Sequence, residues 1–333
     1  MSMTKRTMLL SLLCGATSTI LPRTASAQSA EEFYRGKSIK VIIPTGPGGT
    51  YALYGNIAND RLTRHIPGGP SLIMQFMPSG IQAMNYLYNV PIKDGLTIGM
   101  ISQTAGIVQV LTPEHVKYDL RKFAALGLFT QLNAVLTVSE KTPAKTVDDL
   151  KRIEVTLGAT DTSSYQFIIP QMMNRYLGTK LKVISGYKGI AETTLAMERG
   201  EVDGVFTSWL AIKEQRLKTA LQSNQGRVLL QVGYNSEPDL DAPLLQDLAP
   251  DNKARQAFAF VASFSALSRC LVAPPGMSED RLAVLRNAVA ATIADPEFAS
   301  GLEQKNLPFR PLSWQIQQQI MDQTANTPRA LVE

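Results

Sequence analysis

The chain has 333 residues, of which 44% are hydrophobic and 18% are charged, with 19 Pro and 23 Gly. This composition excludes collagen-like, coiled-coil and disordered proteins, and the length predicts about two globular domains. The formal net charge is +5, and it falls to +2 (30 basic minus 28 acidic residues) without residues 1–27. No later segment has the length of a membrane span or forms a basic stripe with aromatics, so we expect neither membrane insertion nor nucleic-acid binding.

Residues 1–27 have the features of a cleaved signal peptide. A short basic region precedes the apolar stretch Met8–Leu21, and Ala25-Ser26-Ala27 forms a small-residue cleavage site. A lipid anchor at Cys14 is the alternative, but Leu13 stands where a lipobox requires a small residue. We therefore expect an exported, periplasmic protein.

The mature protein should begin at Gln28 and should migrate identically on reducing and non-reducing gels. Cleavage removes Cys14 and leaves Cys270 as the one thiol, so no intramolecular disulfide can form. The apolar residues around Cys270 predict a buried side chain rather than a nucleophile. Intact-mass spectrometry of periplasmic material checks this expectation, and a lipidated N-terminus at Cys14 would contradict it.

The first half of the mature chain alternates strands with helices. After Thr50, apolar residues recur at spacings of three and four, as on one face of a helix, until the cluster Pro67–Pro70 ends it. Gly-containing turns at 45–50 and 78–80 separate strand from helix. The pattern predicts strands at 38–44, 71–77 and 98–102.

The same pattern restarts in the second half. Gly178 and Gly200 predict the ends of helices at 165–177 and 190–199. Strands are predicted at 153–157, 181–185 and 202–206, with segments 132–139 and 262–272 on either side of this half. Helices at 279–289 and 314–321 are expected to cover one half. Two βαβαβ halves predict an α/β fold with mostly parallel sheets.

The turns after the strands are the candidate binding sites. In open parallel sheets, ligands lie at the carboxyl ends of strands, where helix N-termini present free N–H groups. The turn Gly46-Pro47-Gly48-Gly49 leaves room for an anion, such as a carboxylate, to approach the backbone. The alternative is that these glycines only form a tight turn.

Catalytic motifs are sparse. The two histidines, His65 and His115, lie outside these turns, and the sequence contains no zinc motif, nucleophile elbow or P-loop. Asp161 and Asp203 fall near strand ends and are a conceivable carboxylate pair, although Asp161 sits at a helix start, where N-capping is the usual role.

Three long segments carry a resemblance to a known family. Residues 48–99, 177–206 and 270–298 resemble, in this order, the receptors of tripartite tricarboxylate transporters, also called Bug-type extracytoplasmic solute receptors. The resemblance implies the type II periplasmic-binding-protein fold, in which two α/β lobes are joined by two crossing strands. It implies crossings near 132–139 and 262–272, a first lobe of residues 36–135 plus 265–333, and a second lobe of residues 136–264.

The function implied by the resemblance is capture of a small organic carboxylate between the lobes and its delivery to the membrane permease subunits. We expect a monomer that is not an enzyme and has no cofactor, metal site or catalytic residue. The alternative is an enzyme on the same fold that acts on a small carboxylic acid. The predicted ligand-binding residues are Gly46, Pro47, Gly48, Gly49, Thr50, Tyr51, Ser79, Gly80, Thr162, Ser163, Ser164, Tyr187, Lys188, Gly189 and Trp209.

The chain departs from the family pattern in each of these turns, including the second, where Ser79-Gly80-Ile81 stands in place of Gly-Ala-Gly. Ala52 and Asn56 stand where relatives usually carry an acid and a base, and Asp161 stands where they carry glycine. Loss of the acid predicts that cationic and amino-bearing ligands are disfavoured. We also expect an aromatic wall at the mouth of the cleft, which would favour a carboxylate with an apolar body; its members are Tyr51, Tyr54, Phe76 and Trp209.

Overall fold

The computed structural model describes residues 29–47, 50–77, 79–162, 164–214 and 226–332, so the predicted signal peptide lies outside it. The described residues form two five-stranded sheets with helices packed on them. We call each sheet with its helices a lobe, in the order in which the sheets begin along the chain.

The first lobe is built on a mixed sheet with the strand order β2-β1-β3-β10-β4. Strands β1, β2 and β3 are mutually parallel, and β10 runs antiparallel to both β3 and β4. Its elements are α1 (Ala30–Tyr34), β1 (Ser38–Ile43), α2 (Thr50–His65), β2 (Ser71–Phe76), α3 (Gly80–Tyr88), β3 (Thr97–Met100), α4 (Ala105–Leu111), β4 (Ala124–Thr130) and β10 (Arg269–Ala273).

The second lobe repeats this arrangement with the order β7-β6-β8-β5-β9. Here β6, β7 and β8 are parallel, and β5 runs antiparallel to β8 and β9. Its elements are β5 (Ala134–Ser139), β6 (Val155–Ala159), α5 (Tyr165–Leu177), β7 (Leu181–Ser185), α6 (Ile190–Arg199), β8 (Gly204–Ser208), α7 (Trp209–Glu214), β9 (Gly226–Val232) and α8 (Asn252–Ala266).

The chain passes twice between the lobes. The first passage is the short segment 131–133 between β4 and β5, and the second leads from α8 into β10. The last helices, α9 (Glu279–Ala294), α10 (Pro296–Glu303), α11 (Trp314–Ala325) and α12 (Arg329–Val332), complete the described chain. Helix α9 packs on α2 and β4 and α11 packs on β4, so the two predicted C-terminal helices cover the first lobe, whereas α12 packs on α8 and the core of the second lobe.

Each sheet is covered by apolar side chains on both faces. One core of the first lobe holds Ile39, Phe129 and Phe298, and the core on the other face of the same sheet holds Ile42 and Phe123. In the second lobe, a large core separates the sheet from α5 and α8, and a smaller one lies beneath α6. Burial on both faces explains why the strands appear in the sequence as nearly continuous apolar runs.

The predicted α/β two-lobe fold is confirmed, and several helices and strands match their predicted bounds. Helices α5 and α6 end where expected, because Gly178 and Gly200 adopt left-handed φ angles of +69° and +76° at the two C-termini. Cys270 is completely buried as predicted, and burial raises the pKa of its thiol. Residues 262–272 differ from the expected crossing strand, because they contain the end of α8 and most of β10.

Candidate functional site

A cavity of about 230 Å³ lies between the two lobes. Its apolar wall comes from the second lobe and from the two passages between the lobes. These apolar lining residues are Leu132, Ala134, Ile190, Leu210, Ala211 and Phe264. Tyr165 contributes an aromatic face beside them, because its ring stacks on Phe264 with centroids 4.8 Å apart and an interplanar angle of 6°.

The polar lining of the cavity is centred on one cation. Thr50 and Gln103 come from the first lobe, Ser208 ends β8, and Arg269 begins β10. Arg269 is 6% exposed although it carries a full charge. Charged side chains are rarely buried to this extent without a partner, so the contacts of this guanidinium determine what the cavity can bind.

The guanidinium of Arg269 is held by neutral groups. Its Nη2 donates to Thr50 Oγ1, and its Nη1 donates to the Ser268 carbonyl oxygen at 2.7 Å and to Gln103 Oε1 at 3.4 Å. Its Cζ lies 3.8 Å from the centroid of the Tyr51 ring, in a cation–π contact. Tyr51 is fixed in turn, since its hydroxyl donates to the Ile101 carbonyl at 3.2 Å and accepts the Gln103 backbone N–H at 3.1 Å.

Arg269 has no anionic partner among the residues that the structure describes, and its Nε–H is buried without an acceptor. A guanidinium has five N–H donors, of which the three bonds above use three. Burial lowers the pKa of Arg269, yet the side chain of an arginine stays protonated in proteins. The cavity therefore contains a buried positive charge with spare donors, and the described residues supply it with no counter-charge.

Three helix N-termini strengthen the positive potential at the cavity. Thr50, Tyr165 and Ile190 are the first residues of α2, α5 and α6, and all three line the cavity. Each helix places the positive end of its dipole and its unpaired N–H groups toward this space. Together with Arg269, these helix N-termini favour an anionic ligand over a neutral or cationic one.

The predicted binding residues on the first lobe lie at varying distances from this cavity. Thr50 lines it, and Tyr51 supports Arg269 from behind. Gly46 is half-buried, Pro47 is exposed, and Gly48 and Gly49 lie outside the described residues. Ser79 caps α3 by accepting the Gln82 backbone N–H at 3.4 Å, and Gly80 begins this helix.

The predicted second-lobe residues that the structure describes are not among those that line the cavity. Thr162 is exposed, Ser164 is the N-cap residue of α5, and Ser163 lies outside the described residues. Asp161 was expected to cap α5, but the helix begins four residues later. Lys188 is exposed, and Gly189 is the N-cap residue of α6. Tyr187 and Trp209 pack on a core formed by residues such as Val135 and Ile212.

The aromatic residues that line this cavity differ from the expected aromatic wall. Tyr54 is completely buried, and its hydroxyl donates to the Pro308 carbonyl oxygen inside the first lobe. Trp209 donates from Nε1 to Asp239 Oδ1 at 2.9 Å and packs within the second lobe. The aromatic surface of the cavity comes instead from Tyr165 and Phe264.

Arg269 is the residue that sequence reasoning misses. It is the one charged residue between Gln256 and Pro274, a stretch that is otherwise apolar or small. A lone charge in a buried run requires a partner or a function, which is the signal that points to this position.

A second, larger cavity of about 400 Å³ lies on the other side of α8, between this helix and the C-terminal segment. It is lined by Phe260 and Ser263 of α8 and by residues of α11 and α12. None of the described residues that line it carries a charge, so it lacks the anion-binding character of the site at Arg269.

An ion pair connects the two lobes. Arg310 Nη1 lies 3.1 Å from Glu237 Oε2, and Arg310 Nη2 donates to the Ser236 carbonyl oxygen at 3.1 Å. Glu237 follows β9 in the second lobe, whereas Arg310 follows Phe309, which packs on the core of the first lobe. The pair therefore stabilises the arrangement in which the lobes enclose the cavity.

Replacing Glu237 with Gln should weaken ligand binding about three- to tenfold without unfolding the protein. The Glu237 side chain is 8% exposed and that of Arg310 is 25% exposed, so the pair is screened less than a surface pair. Loss of the pair destabilises the closed arrangement relative to the open one. Because the ligand binds the closed arrangement, the free energy of binding weakens by the same amount. Calorimetric titration checks this, with Glu201→Gln in an exposed pair as control. Equal affinities in both variants would contradict the bridging role.

Metal and membrane sites are not seen in the described parts of the chain. Within residues 29–47, 50–77, 79–162, 164–214 and 226–332, no group of three or more His, Cys, Asp or Glu side chains is placed to hold a metal ion. Over the same residues, no helix combines the length and apolar character needed to span a bilayer.

Comparison with known proteins identifies similar solved structures. No protein-family model and no curated protein matches the chain. A TctC solute-binding protein from Polaromonas, solved without ligand, superposes with a TM-score of 0.70 at 16% identity, over 90% of this chain and 99% of that one.

Two further solved structures are similar. MatC from Rhodopseudomonas palustris, with bound malate, has a TM-score of 0.63 at 16% identity, over 89% of this chain and 99% of that one. The periplasmic binding protein BugD has a TM-score of 0.62 at 15% identity, over 90% of this chain and 97% of that one. The fold that the resemblance implies is thus confirmed: the chain has the two-lobed α/β fold of the TctC-type and Bug-type solute-binding proteins.

Proposed function

We propose that the chain is a periplasmic solute-binding receptor that closes on a small organic carboxylate and delivers it to the membrane subunits of a tripartite tricarboxylate-type transporter. In this proposal the protein is a monomer exported by its N-terminal signal. The carboxylate occupies the cavity between the lobes and takes the spare N–H donors of Arg269. The malate held by one structural neighbour supports this ligand class.

The buried charge of Arg269 is the observation that carries the proposal. An unpaired charge in a low-dielectric site is costly, and an entering carboxylate removes that cost by forming a charge-assisted pair. Arg269 begins β10 at the passage between the lobes, while Thr50 and Ile190 face the cavity from opposite lobes. A ligand that touches both lobes binds the closed state better than the open one, as a receptor requires.

Binding is favoured over catalysis at this site. Arg269 stays protonated at neutral pH, so it orients an anion but does not act as a general acid or base. Asp203, one of the acids considered for catalysis, has a structural role, because its Oδ2 accepts the Thr156 backbone N–H at 2.8 Å. The alternative is an enzyme that acts on a small carboxylic acid, and the experiment below distinguishes it from a receptor.

The test is titration of the purified mature protein with carboxylates and their matched amides, followed by thermal unfolding. A carboxylate at about 100 times its dissociation constant should stabilise the protein by roughly 2.7 kcal/mol, and the amide should not. Recovery of the added acid, unchanged, by mass spectrometry completes the test. Absence of stabilisation by any carboxylate, or conversion of the acid to a product, would overturn the proposal.

Affinity for the carboxylate should be constant above about pH 6 and should weaken up to tenfold per pH unit below about pH 4. A free carboxyl group has a pKa of about 4. Arg269 lowers the pKa of the bound carboxyl, so the complex persists above the free pKa and is lost as the pH falls toward the bound one. Calorimetry between about pH 3 and pH 8 measures this, with unfolding curves to confirm that the protein stays folded over this range. Stronger binding at acidic pH would be incompatible with an Arg269–carboxylate pair.

A further inference from the structure

The cavity offers one charge and a largely apolar interior. Among the described residues that line it, Arg269 is the sole charged one. The other polar lining residues are Thr50, Gln103, Ser208 and Tyr165, and the N-termini of α2, α5 and α6 add uncharged N–H donors. The described lining therefore provides a strong partner for one carboxylate and no second cationic side chain for another.

The rest of the surface suits an apolar body. Tyr165 and Phe264 present a stacked aromatic pair, and Leu132, Ile190 and Leu210 contribute aliphatic carbon to the same wall. Phe264 is 2% exposed and Leu210 is 4% exposed, so these side chains are held firmly by the protein around them. An apolar group placed here is removed from water, whereas a second carboxylate loses its hydration without gaining a counter-charge.

The size of the cavity limits the ligand further. Its volume of about 230 Å³ lies below the roughly 300–1,000 Å³ of sites for drug-sized ligands. With no acid among the described lining residues, an ammonium group on the ligand also has no anionic partner there.

We propose that the site, taken as the carboxylate receptor argued above, selects a monocarboxylate with a compact branched or aromatic apolar body over dicarboxylates, tricarboxylates and amino acids. This inference rests on the proposed function and names its substrate class. Arg269 binds the carboxylate, and the wall formed by Tyr165, Phe264 and Leu210 sets the specificity.

The test compares ligands that differ in one property at a time. The mature protein is titrated at pH 7 with 3-methylbutanoate and benzoate, with malate and adipate, with leucine, and with benzyl alcohol as a neutral probe. We expect 3-methylbutanoate or benzoate to bind at least tenfold more tightly than malate, adipate, leucine and benzyl alcohol. Tighter binding of malate or adipate that Arg269→Gln abolishes would overturn the inference and leave the proposed function intact. Absence of binding by every carboxylate would overturn both.

A gain-of-function variant tests the missing second cation directly. Ile190 is half-buried and lines the cavity, so Ile190→Lys places a positive charge there, and Ile190→Met is the uncharged control of similar length. The ratio of malate to benzoate affinity should rise at least tenfold in the lysine variant relative to the methionine variant. An unchanged ratio, with both variants folded by circular dichroism, would show that the number of cations does not set the specificity.

Discussion

Arg269→Gln should lower carboxylate affinity by about 2–5 kcal/mol, which is roughly 30-fold to several thousandfold. The variant removes the charge but keeps an amide that can still reach part of the hydrogen-bonding environment. The loss arises because the ligand's carboxylate enters a desolvated cavity that no longer holds its partner. Calorimetric titration with the carboxylate identified from the panel measures the effect.

The matched control is Arg281→Gln. Arg281 also stacks on an aromatic ring, with its Cζ 3.6 Å from the centroid of Phe33, but it lies on α9 and does not line the cavity. Its replacement should leave carboxylate affinity within about twofold of the parent. If Arg281→Gln and Arg269→Gln weaken binding equally, the loss comes from the lower net charge of the protein, and Arg269 does not bind the carboxylate specifically.

The same residue should have the opposite effect on stability. In the unliganded protein, Arg269 is a buried charge that has no counter-charge among the described residues, and Arg269→Met replaces it with an apolar side chain of similar length. We expect the unliganded variant to be more stable by about 1 kcal/mol, or roughly 2–4 °C in Tm, while stabilisation by carboxylate disappears. A fall of several degrees in Tm would mean that the hydrogen bonds from Arg269 to Thr50 and Ser268 contribute more to stability than the burial of its charge costs.

Helices and strands can be predicted from the sequence where glycines clearly mark the helix ends. The helix Tyr165–Leu177, the strand Leu181–Ser185 and the helix Ile190–Arg199 have their predicted bounds, because glycines with positive φ stop both helices. The Asn252–Ala266 helix was not predicted, and its interior shows why. Most of its residues from Ala254 onward are buried, so it lacks a polar face and its apolar run fits a strand as well as a helix.

The site is harder to predict because it depends on distant pairs. Arg269 contacts Thr50, which is 219 positions away in the sequence, and no periodic pattern of residues predicts such a contact. The turns indicated correctly that helix N-termini face the cleft, since Thr50, Tyr165 and Ile190 open helices there. The charge itself comes from a passage between the lobes, where apolar neighbours make the sequence appear purely structural.

Asn133→Ala should lower the free energy of unfolding by about 3 kcal/mol, because three buried hydrogen bonds are lost at roughly 1 kcal/mol each. Asn133 is completely buried in the first passage between the lobes. Its Nδ2 donates to Gln231 Oε1 at 3.0 Å and to the Asn235 carbonyl oxygen at 2.7 Å, and its Oδ1 accepts Ser265 Oγ at 2.9 Å. One side chain thus ties both passages to the end of β9.

Asn174→Ala is the matched control for this variant. Asn174 also makes three side-chain bonds, with Leu181 O, Leu181 N and Thr179 Oγ1, but all of them lie within the second lobe. It should cost stability while leaving carboxylate affinity unchanged, whereas Asn133→Ala should reduce both. Reduced affinity in Asn174→Ala to the same extent would show that any loss of stability weakens binding, and that the passage has no special part.

Gly233 gives an independent test of the same site. A Cβ at this position would lie 1.9 Å from Asn133 Oδ1, so Gly233→Ala forces the amide out of its three bonds. The single variant should therefore be about as destabilising as Asn133→Ala. In the Asn133→Ala background the obstructing amide is absent, so adding Gly233→Ala should cost less than about 1 kcal/mol, a coupling that a double-mutant cycle measures. Additive losses would mean that glycine is required for its backbone, and that Asn133 does not hold the passage through this contact.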